Sequence, residues 1–234
     1  MQNSYTLEEL AKFLKRPEKE IQKLAEKEVL KGRKIQGKWV FALADVALWM
    51  EQEMTEFEVE KTEQLEQAII QSAVEAEEEI SLVSILDPRA IDLSFSAKTK
   101  ASVIRKMAEL AENNGKLWDV DSMIEALRAR EDMASTALEN GVAIMHPRRP
   151  QANIIAEDFL ALAVTPKPIP FGGGYDNETD VFLLLCCQTD TSYLRTLGKL
   201  VRVLKTPNFL DNLRECPDAE SVRKLIAQTE KELS

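Results

Sequence analysis

The chain contains a single histidine, and its neighbours suit binding of an anion. His146 follows the apolar stretch Val142–Met145 and precedes Pro147-Arg148-Arg149-Pro150. A neutral imidazole is nucleophilic near pH 7, and its phosphorylated form is labile enough to pass a phosphoryl group onward. The two arginines offer an anion charge-assisted, bidentate hydrogen bonds. The pattern indicates a phosphoryl-binding site, although a lone His beside Arg is more often a surface or cap residue.

The residue types needed for other common chemistries are missing from the sequence. It has no Walker-type or dinucleotide glycine motif and no Gly-x-Ser-x-Gly elbow to accompany His146. One His and three Cys, two of them adjacent, make neither a zinc site nor a disulfide framework. The glycine run 172–174 lacks a following Lys-Ser, and we interpret it as a loop. We therefore expect no metal and no bound cofactor.

Composition is typical of a globular protein with one large or two modest domains. The chain has 234 residues, 44% hydrophobic and 30% charged. No apolar run approaches the roughly 18–20 residues that span a bilayer, and the N-terminus lacks the features of a secretory signal. These observations predict a cytoplasmic protein without a membrane span.

The acidic side chains concentrate in one stretch. Residues 51–80 carry 11 acidic side chains and 1 basic one, a net charge of −10. Residues 1–50 carry 10 basic and 7 acidic side chains, so that region is mildly positive. The remainder, residues 81–234, is close to neutral. A total charge of −10 therefore does not exclude nucleic-acid binding by the first 50 residues.

Residues 81–234 alternate helical and strand-like patterns. Helical periodicity occurs at 98–112, 120–133, 192–204, 208–216 and 219–233, and apolar strand-like runs occur at 141–145, 159–164 and 180–187. This alternation predicts an α/β domain, a mixed sheet flanked by helices.

Several motifs of this region occur in a family-specific order. They are Leu127-Arg-Ala-Arg130-Glu131, Ser135-Thr136, Asn140-Gly-Val-Ala-Ile-Met-His146-Pro-Arg148, the strand at 180–187, Tyr193-Leu-x-x-Leu-Gly-Lys-Leu and Asn208-Phe-Leu-x-x-Leu. Together they resemble the enzyme IIA domain of the sugar phosphotransferase system, type 2, which is the fructose, mannitol and nitrogen-regulatory class. The resemblance extends from about Ile80 to Glu232.

This resemblance implies roles for particular residues. His146 would accept a phosphoryl group from a phosphocarrier protein, and Arg130 and Arg148 would neutralise the phosphoryl oxygens. The remaining members of the implied site would shape the loop beneath the imidazole: Ser135, Thr136 and Asn140.

The sequence departs from the family pattern at two positions. Met145 replaces the proline that usually precedes the histidine, and Tyr193 replaces a second histidine near the active one. Tyrosine can donate one hydrogen bond but cannot carry positive charge. Two interpretations therefore stay open: a phosphohistidine carrier of the phosphotransferase type, and a phosphorylation-impaired regulatory domain that acts by protein contact.

The first 50 residues predict a small helical domain with a hairpin. Thr6 and Glu9 form a capping-box pattern, Pro17 separates two helices, and Gln36-Gly37 suits a hairpin tip. A third helix is expected from about Ala42, with Val46, Trp49 and Met50 buried. This order resembles the excisionase-type, MerR-like winged helix-turn-helix.

That resemblance implies DNA contacts by the second helix and the hairpin. The implied groove-facing residues are Lys19, Gln22 and Lys23, and the implied phosphate contacts are Arg33, Lys34 and Lys38. Glu18, Glu20 and Glu26 on the same helix would repel phosphate, so a protein-interaction module is the alternative.

The domain organisation follows from these patterns. We assign residues 1–50 to a winged helix-turn-helix, 51–79 to an acidic connector and 80–234 to a IIA-type domain. The connector lacks Gly and Pro, which favours a helical, charged spacer over a short coiled coil. The combined interpretation is a regulator whose partners are a phosphocarrier protein, DNA and, because two-fold DNA readers are usually dimers, a second copy.

Overall fold

The computed structural model describes most of the chain outside the acidic connector. The described residues are 4–14, 16–42, 44–46, 48–50, 81–138, 140–172 and 178–233. The expectations of a helical connector or coiled coil at 51–79 lie outside them, as does most of the glycine run. The chain forms two compact units: Met1–Glu79 with Leu194–Arg202, and Ile80–Tyr193 with Val203–Ser234.

The first unit begins with a short strand and two helices. Strand β1 spans Ser4–Thr6, helix α1 Leu7–Leu14 and helix α2 Glu18–Glu26. The capping box is confirmed, since the Glu9 backbone N–H donates to Thr6 Oγ1 and the Thr6 N–H donates to the Glu9 carboxylate. Helix α1 packs against α2 and against the sheet that follows.

A three-stranded sheet completes the described part of this unit. Strands β2 (Arg33–Ile35) and β3 (Lys38–Ala42) form a hairpin, and the strand order is β1-β3-β2. Gln36 and Gly37 have φ angles of 50° and 79°, so the predicted tip is confirmed and has the left-handed backbone of a tight hairpin turn. The third helix was expected from Ala42, but β3 runs through this residue to pair with β1. Residues 44–46 and 48–50 are helical, and Val46, Trp49 and Met50 are buried.

The second unit is a mixed sheet flanked by helices, as predicted. Its elements are α3 (Leu82–Ile85), β4 (Leu86–Asp92), α4 (Lys100–Glu112), α5 (Val120–Glu131), β5 (Val142–Met145), β6 (Phe159–Pro170), β7 (Glu178–Cys186), α6 (Asp190–Lys205), α7 (Phe209–Arg214) and α8 (Ala219–Leu233). Residues 194–202 of α6 belong to the first unit.

The sheet of this unit has the strand order β4-β6-β7-β5. Strand β6 is antiparallel to β7, whereas β4 is parallel to β6 and β5 is parallel to β7. The central strand β7 is buried from Val181 to Cys186 because helices cover both faces, which explains its unbroken apolar run. The sequence pattern did not predict strand β4, because its apolar residues are interrupted by Asp87, Pro88 and Arg89.

Long-range hydrogen bonds tie helix α8 to the start of this unit. The buried Glu230 carboxylate accepts the Leu82 backbone N–H at 2.7 Å and the Ser81 hydroxyl at 3.1 Å. Arg223 donates to the carbonyl oxygens of Val83 and Leu86. The two ends of the unit are therefore joined by these hydrogen bonds.

None of the helices within the described ranges is long and apolar enough to cross a bilayer.

A charged clamp surrounds the turn that starts β5. Gly141 has a φ of 81°, and a Cβ there would lie 2.9 Å from Asp180 Oδ1 and 3.1 Å from Arg214 Nη2. Arg214 donates to both carboxylate oxygens of Asp180, at 2.7 and 2.8 Å, and to the Asn140 carbonyl at 3.2 Å. These hydrogen bonds raise the pKa of Arg214. The clamp therefore joins α7, β7 and the turn before β5.

We predict that Gly141→Ala destabilises the protein more than Gly115→Ala. Both glycines have a positive φ, but no atom lies within 4 Å of a Cβ built at Gly115. Backbone strain alone should cost about 1 kcal/mol at Gly115, and displacement of the Asp180–Arg214 pair should bring the cost at Gly141 to about 2–3 kcal/mol. Denaturant unfolding of both variants measures the difference, and equal losses would contradict the clamp.

Candidate functional site

The histidine lies where the parallel strands β5 and β7 end. Met145 is paired with Leu184, so the residues that follow both strands emerge at the same edge of the sheet. His146 follows β5 directly, and helix α6 starts four residues after β7. This topology brings Tyr193, in the first turn of α6, against the imidazole: the two ring centroids are 5.0 Å apart.

One ring nitrogen of the imidazole contacts a backbone carbonyl. His146 Nδ1 lies 3.2 Å from the Pro147 carbonyl oxygen. A carbonyl only accepts hydrogen bonds, so this contact is a hydrogen bond when Nδ1 carries the proton. In that tautomer the lone pair is on Nε2. The side chain is only 4% exposed, and packing against Tyr193 restricts rotation of the ring.

Arg130 is held by the segment that pairs with β5. Residues 136–138 run antiparallel to β5, with Ala137 paired to Ala143 and the Ile144 N–H donating to the Thr136 carbonyl. Arg130, 3% exposed, donates from Nη1 to the Ala134 carbonyl at 2.8 Å. This hydrogen bond fixes the guanidinium at the start of the segment that lies beside the strand leading to His146.

The segment after α5 is held by a buried carboxylate. Glu131 accepts the Thr136 hydroxyl at 2.8 Å and the Thr136 backbone N–H at 3.1 Å. Lys100 Nζ lies 3.1 Å from Glu131 Oε1, which compensates the buried charge. The family motif in the sequence contains Glu131 but implies no role for it, and Lys100 lies outside the motif. A charged residue on the buried face of α5 was the available signal.

The other cations occupy the loop after the histidine. Arg148 and Arg149 are exposed. Burial raises the pKa of Asp190 at the start of α6, and the charge of Arg149 opposes that shift. Asp190 therefore interacts electrostatically with Arg149 of this loop.

Three polar residues of the predicted loop differ in their positions. Ser135 is exposed, and its hydroxyl accepts the Ala137 N–H, while the Thr136 hydroxyl is committed to Glu131. Asn140 precedes β5 and His146 follows it, so the four residues of this strand, roughly 13 Å of extended chain, lie between them. The Asn140 carbonyl belongs to the Arg214 clamp. The structure therefore does not place Asn140 beneath the imidazole, because β5 runs directly away from it.

The described residues offer no competing chemistry. Among them, no cluster of His, Cys, Asp and Glu is arranged to hold a metal ion. Cys186 and Cys187 are buried and form no disulfide, and burial raises the pKa of the Cys186 thiol well above its ordinary value. A thiol in that state is a poor nucleophile.

The predicted groove-facing residues share helix α2 with several carboxylates. Lys19 and Lys23 are exposed and one turn apart, while Gln22 donates to the Glu26 carboxylate at 2.7 Å. Glu20 forms an ion pair with Arg16 at 3.2 Å. The helix therefore presents two lysines within a mixed charged surface.

The hairpin divides its three basic residues between two faces. Arg33 is paired with Val40 and Lys38 with Ile35, so these four side chains share one face. Lys34 is paired with Trp39 on the other face, and its ammonium lies 5.0 Å from the centroid of the Trp39 ring. Arg33 and Lys38 can thus contact one phosphate backbone together, whereas Lys34 projects from the opposite side.

Comparison with known proteins identifies both regions. Residues 84–229 match the family described as phosphoenolpyruvate-dependent sugar phosphotransferase system, EIIA 2, and residues 4–54 match a helix-turn-helix domain family. A nitrogen regulatory protein of Bradyrhizobium diazoefficiens is 28% identical over 149 residues, covering 62% of this chain and 94% of the relative. A fructose-like EIIA component of Escherichia coli is 26% identical, covering 63% and 98%.

A solved structure of a nitrogen regulatory protein has the same fold as the second unit. The nitrogen regulatory protein IIA-Ntr from Neisseria meningitidis is 25% identical and superimposes with a TM-score of 0.55. The match covers 62% of this chain and 97% of that structure. The mixed sheet and its helices therefore form a complete domain of this type.

We predict that Glu131→Gln destabilises the protein by about 2 kcal/mol, because the amide has one acceptor oxygen where the carboxylate uses two, for Thr136 and for Lys100, and leaves Lys100 without its anion. Glu125→Gln is the matched control, since Glu125 is exposed on the same helix and should change stability by less than about 0.5 kcal/mol. Denaturant midpoints compare the two. Similar midpoints would show that the Glu131 contacts contribute little.

Proposed function

This chain belongs to the phosphoenolpyruvate-dependent sugar phosphotransferase system EIIA 2 family, and we propose that it is a regulator that accepts a phosphoryl group on His146 from a phosphorylated carrier protein. In this proposal the phosphorylation state controls DNA binding by the helix-turn-helix domain. The observation that carries the proposal is the oriented imidazole, with Nδ1 at the Pro147 carbonyl and the ring packed against Tyr193.

The transfer itself is an in-line displacement between nitrogens. The Nε2 lone pair of His146 forms the new N–P bond as the N–P bond of the carrier's phosphohistidine breaks, and that bond pair stays on the carrier's nitrogen. The Nδ1 proton of His146 remains hydrogen-bonded to the Pro147 carbonyl throughout. Such a reaction needs a positioned nucleophile and stabilisation of spread negative charge, and little covalent assistance.

Charge stabilisation would come from two arginines with different surroundings. Arg130 is buried, so its attraction to a phosphoryl oxygen is weakly screened. Arg148 is exposed and can adjust to the incoming group, as a side chain on a surface loop does. Tyr193 packs on the ring and maintains its orientation. Ser135 and Thr136 would support the backbone beside the imidazole rather than bind phosphate.

The N-terminal region would contact DNA through α2 and one face of the hairpin. Lys19 and Lys23 would face the groove, and Arg33 with Lys38 would contact phosphates. The net positive charge of residues 1–50 supports weak, salt-dependent binding. We propose that residues 51–79 connect this domain to the IIA-type domain of residues 80–234. A cytoplasmic location and a homodimer on two-fold symmetric DNA complete the proposal.

Phosphorylation would act on the DNA-binding domain through charge. A phosphoryl group adds about 1.5–2 negative charges at pH 7. That charge can repel the acidic connector or attract basic residues of the first domain, and either effect changes the conformations available for DNA binding. The connector makes the protein sensitive to such a change because it holds a net charge of −10 in 29 residues.

We predict that phosphoenolpyruvate and the general phosphotransfer proteins place acid-labile phosphate on the wild-type chain. His146→Ala should abolish this phosphate, and Arg130→Lys should slow its formation at least about tenfold, because an ammonium cannot replace the bidentate guanidinium. Arg105→Lys is the matched control, since Arg105 is exposed on α4. Phosphate retained in His146→Ala would place the acceptor elsewhere.

A second candidate function is favoured by one observation, the uncharged Tyr193 in van der Waals contact with the imidazole. A tyrosine cannot supply the positive charge that a second histidine offers to a phosphoryl group. The domain would then regulate partner proteins by contact without carrying phosphate, and the first domain would be a docking module. Absence of acid-labile phosphate on the wild-type chain would favour this function.

We predict that binding to a mixed-sequence DNA duplex weakens steeply with salt. Arg33→Ala with Lys38→Ala should reduce the slope of log K against log salt by about 2, because each lost phosphate contact changes it by about 0.9. Lys224→Ala with Lys231→Ala removes the same charge from helix α8 and should leave the slope unchanged. A wild-type slope near zero would instead support the docking module.

The coupling between the domains has its own test. The affinity of the wild-type chain for the duplex should change when the phosphorylated carrier is added, and the affinity of His146→Ala should not. Identical responses of the two proteins would refute coupling, even if phosphorylation and DNA binding each occur.

A further inference from the structure

The side of helix α2 that faces away from its core combines two lysines with a hydrogen-bonded polar pair. Ile21 and Ala25 are the buried residues of this helix. One face on the other side, which we call the α2 polar face, consists of Lys19, Gln22, Lys23 and Glu26, at helical spacing. Gln22 is half-buried and the other three are exposed. The sequence assigned to Glu26 only the repulsion of phosphate, but in the structure this acid has a defined neighbour.

The hydrogen bond between Gln22 and Glu26 fixes the orientation of the Gln22 amide. Gln22 Nε2 donates to Glu26 Oε1 at 2.7 Å. An ionised carboxylate only accepts hydrogen bonds, so the amide turns its NH₂ group, and not its oxygen, toward Glu26. A terminal amide without such a partner rotates broadly, and either of its ends can meet a ligand. Glu26 therefore decides which edge of the Gln22 amide is presented.

The hydrogen-bonding groups that remain on this amide match one base. Nε2 carries two hydrogens. When the hydrogen trans to the amide oxygen is donated to Glu26, the cis hydrogen and the oxygen form one edge, a donor beside an acceptor. In the major groove adenine presents the complementary pair, the N7 acceptor beside the N6 donor, whereas guanine presents two acceptors there. The orientation set by Glu26 thus suits adenine.

We propose that Gln22 reads an adenine in the major groove and that Glu26 is the positioning residue that orients its amide. The proposal rests on the proposed function, because it requires α2 to lie in the groove of a duplex. Gln22 Oε1 accepts from adenine N6, and Nε2 donates to adenine N7 while its second hydrogen stays on Glu26. Glu26 therefore increases the specificity of binding, while its charge lowers the affinity for any duplex.

Selection from a duplex library with a randomised central segment tests the reading of adenine. The full-length, unphosphorylated wild-type chain should prefer A·T to G·C at one position by at least about tenfold. Gln22→Ala should lose the preference at that position and keep any preference elsewhere. Selection of the same A·T pair by Gln22→Ala, or of a G·C pair at the position that depends on Gln22, would overturn the proposal.

Two variants of Glu26 separate orientation of the amide from removal of charge. Glu26→Gln and Glu26→Leu remove the same charge, but only Glu26→Gln keeps a carbonyl oxygen that accepts from Gln22. Both should bind any duplex more tightly than wild type does. The A·T preference should persist in Glu26→Gln and fall at least about fivefold in Glu26→Leu. Equal preferences in these two variants would show that Glu26 acts only by its charge, which contradicts the positioning role.

The same measurements distinguish failure of this proposal from failure of the proposed function. Glu18→Gln removes a charge from the first turn of α2 and should leave the A·T preference unchanged. A wild-type chain that binds duplexes but selects no base pair would refute the reading of adenine and leave DNA binding in place. A wild-type chain that binds no duplex would refute both. None of these outcomes depends on phosphorylation of His146.

Discussion

The parallel pairing of β5 with β7 is the constraint on which the candidate site depends. Because Met145 lies beside Leu184, the chain leaves both strands at one edge of the sheet. One exit carries His146, and the other leads into α6 with Tyr193 in its first turn. The imidazole and the Tyr193 ring thus meet although no local sequence signal joins them. A shift of one residue in this register would turn the side chains of β5 to opposite faces.

Ion pairs fix the segments at both ends of β5. Glu131, compensated by Lys100, anchors Thr136, and the anchored segment presents the Ala134 carbonyl to Arg130. Glu131 therefore helps to position the guanidinium of Arg130 through the segment between them. At the other end of β5, the Asp180–Arg214 pair holds the turn at Gly141. Both ends of one short strand are fixed by ion pairs, which is a way to hold a site rigid.

Local patterns predicted a large part of the fold. The capping box at Thr6, the hairpin tip at Gln36-Gly37 and most helices of residues 81–234 follow from periodicity and turn chemistry, which act over a few residues. Strand β4 and the end of β3 at Ala42 did not, because both depend on a partner strand distant in sequence. The position of Asn140 could not be read from its motif either. A motif places residues near each other along the chain, whereas an extended strand separates them in space.

The sequence by itself determined the two domain types, the solitary histidine with its neighbouring arginines, and the concentration of acid between the domains. These are properties of composition and order, and no folding is needed to recognise them. Only the tertiary structure decided which of the predicted residues meet. It packed Tyr193 on His146, bound Arg130 to the Ala134 carbonyl and the Asn140 carbonyl to Arg214, assigned Thr136 to Glu131 and separated Lys34 from Arg33 and Lys38. The physical reason is that side-chain proximity depends on strand pairing and burial, which are set by contacts between residues far apart in the sequence.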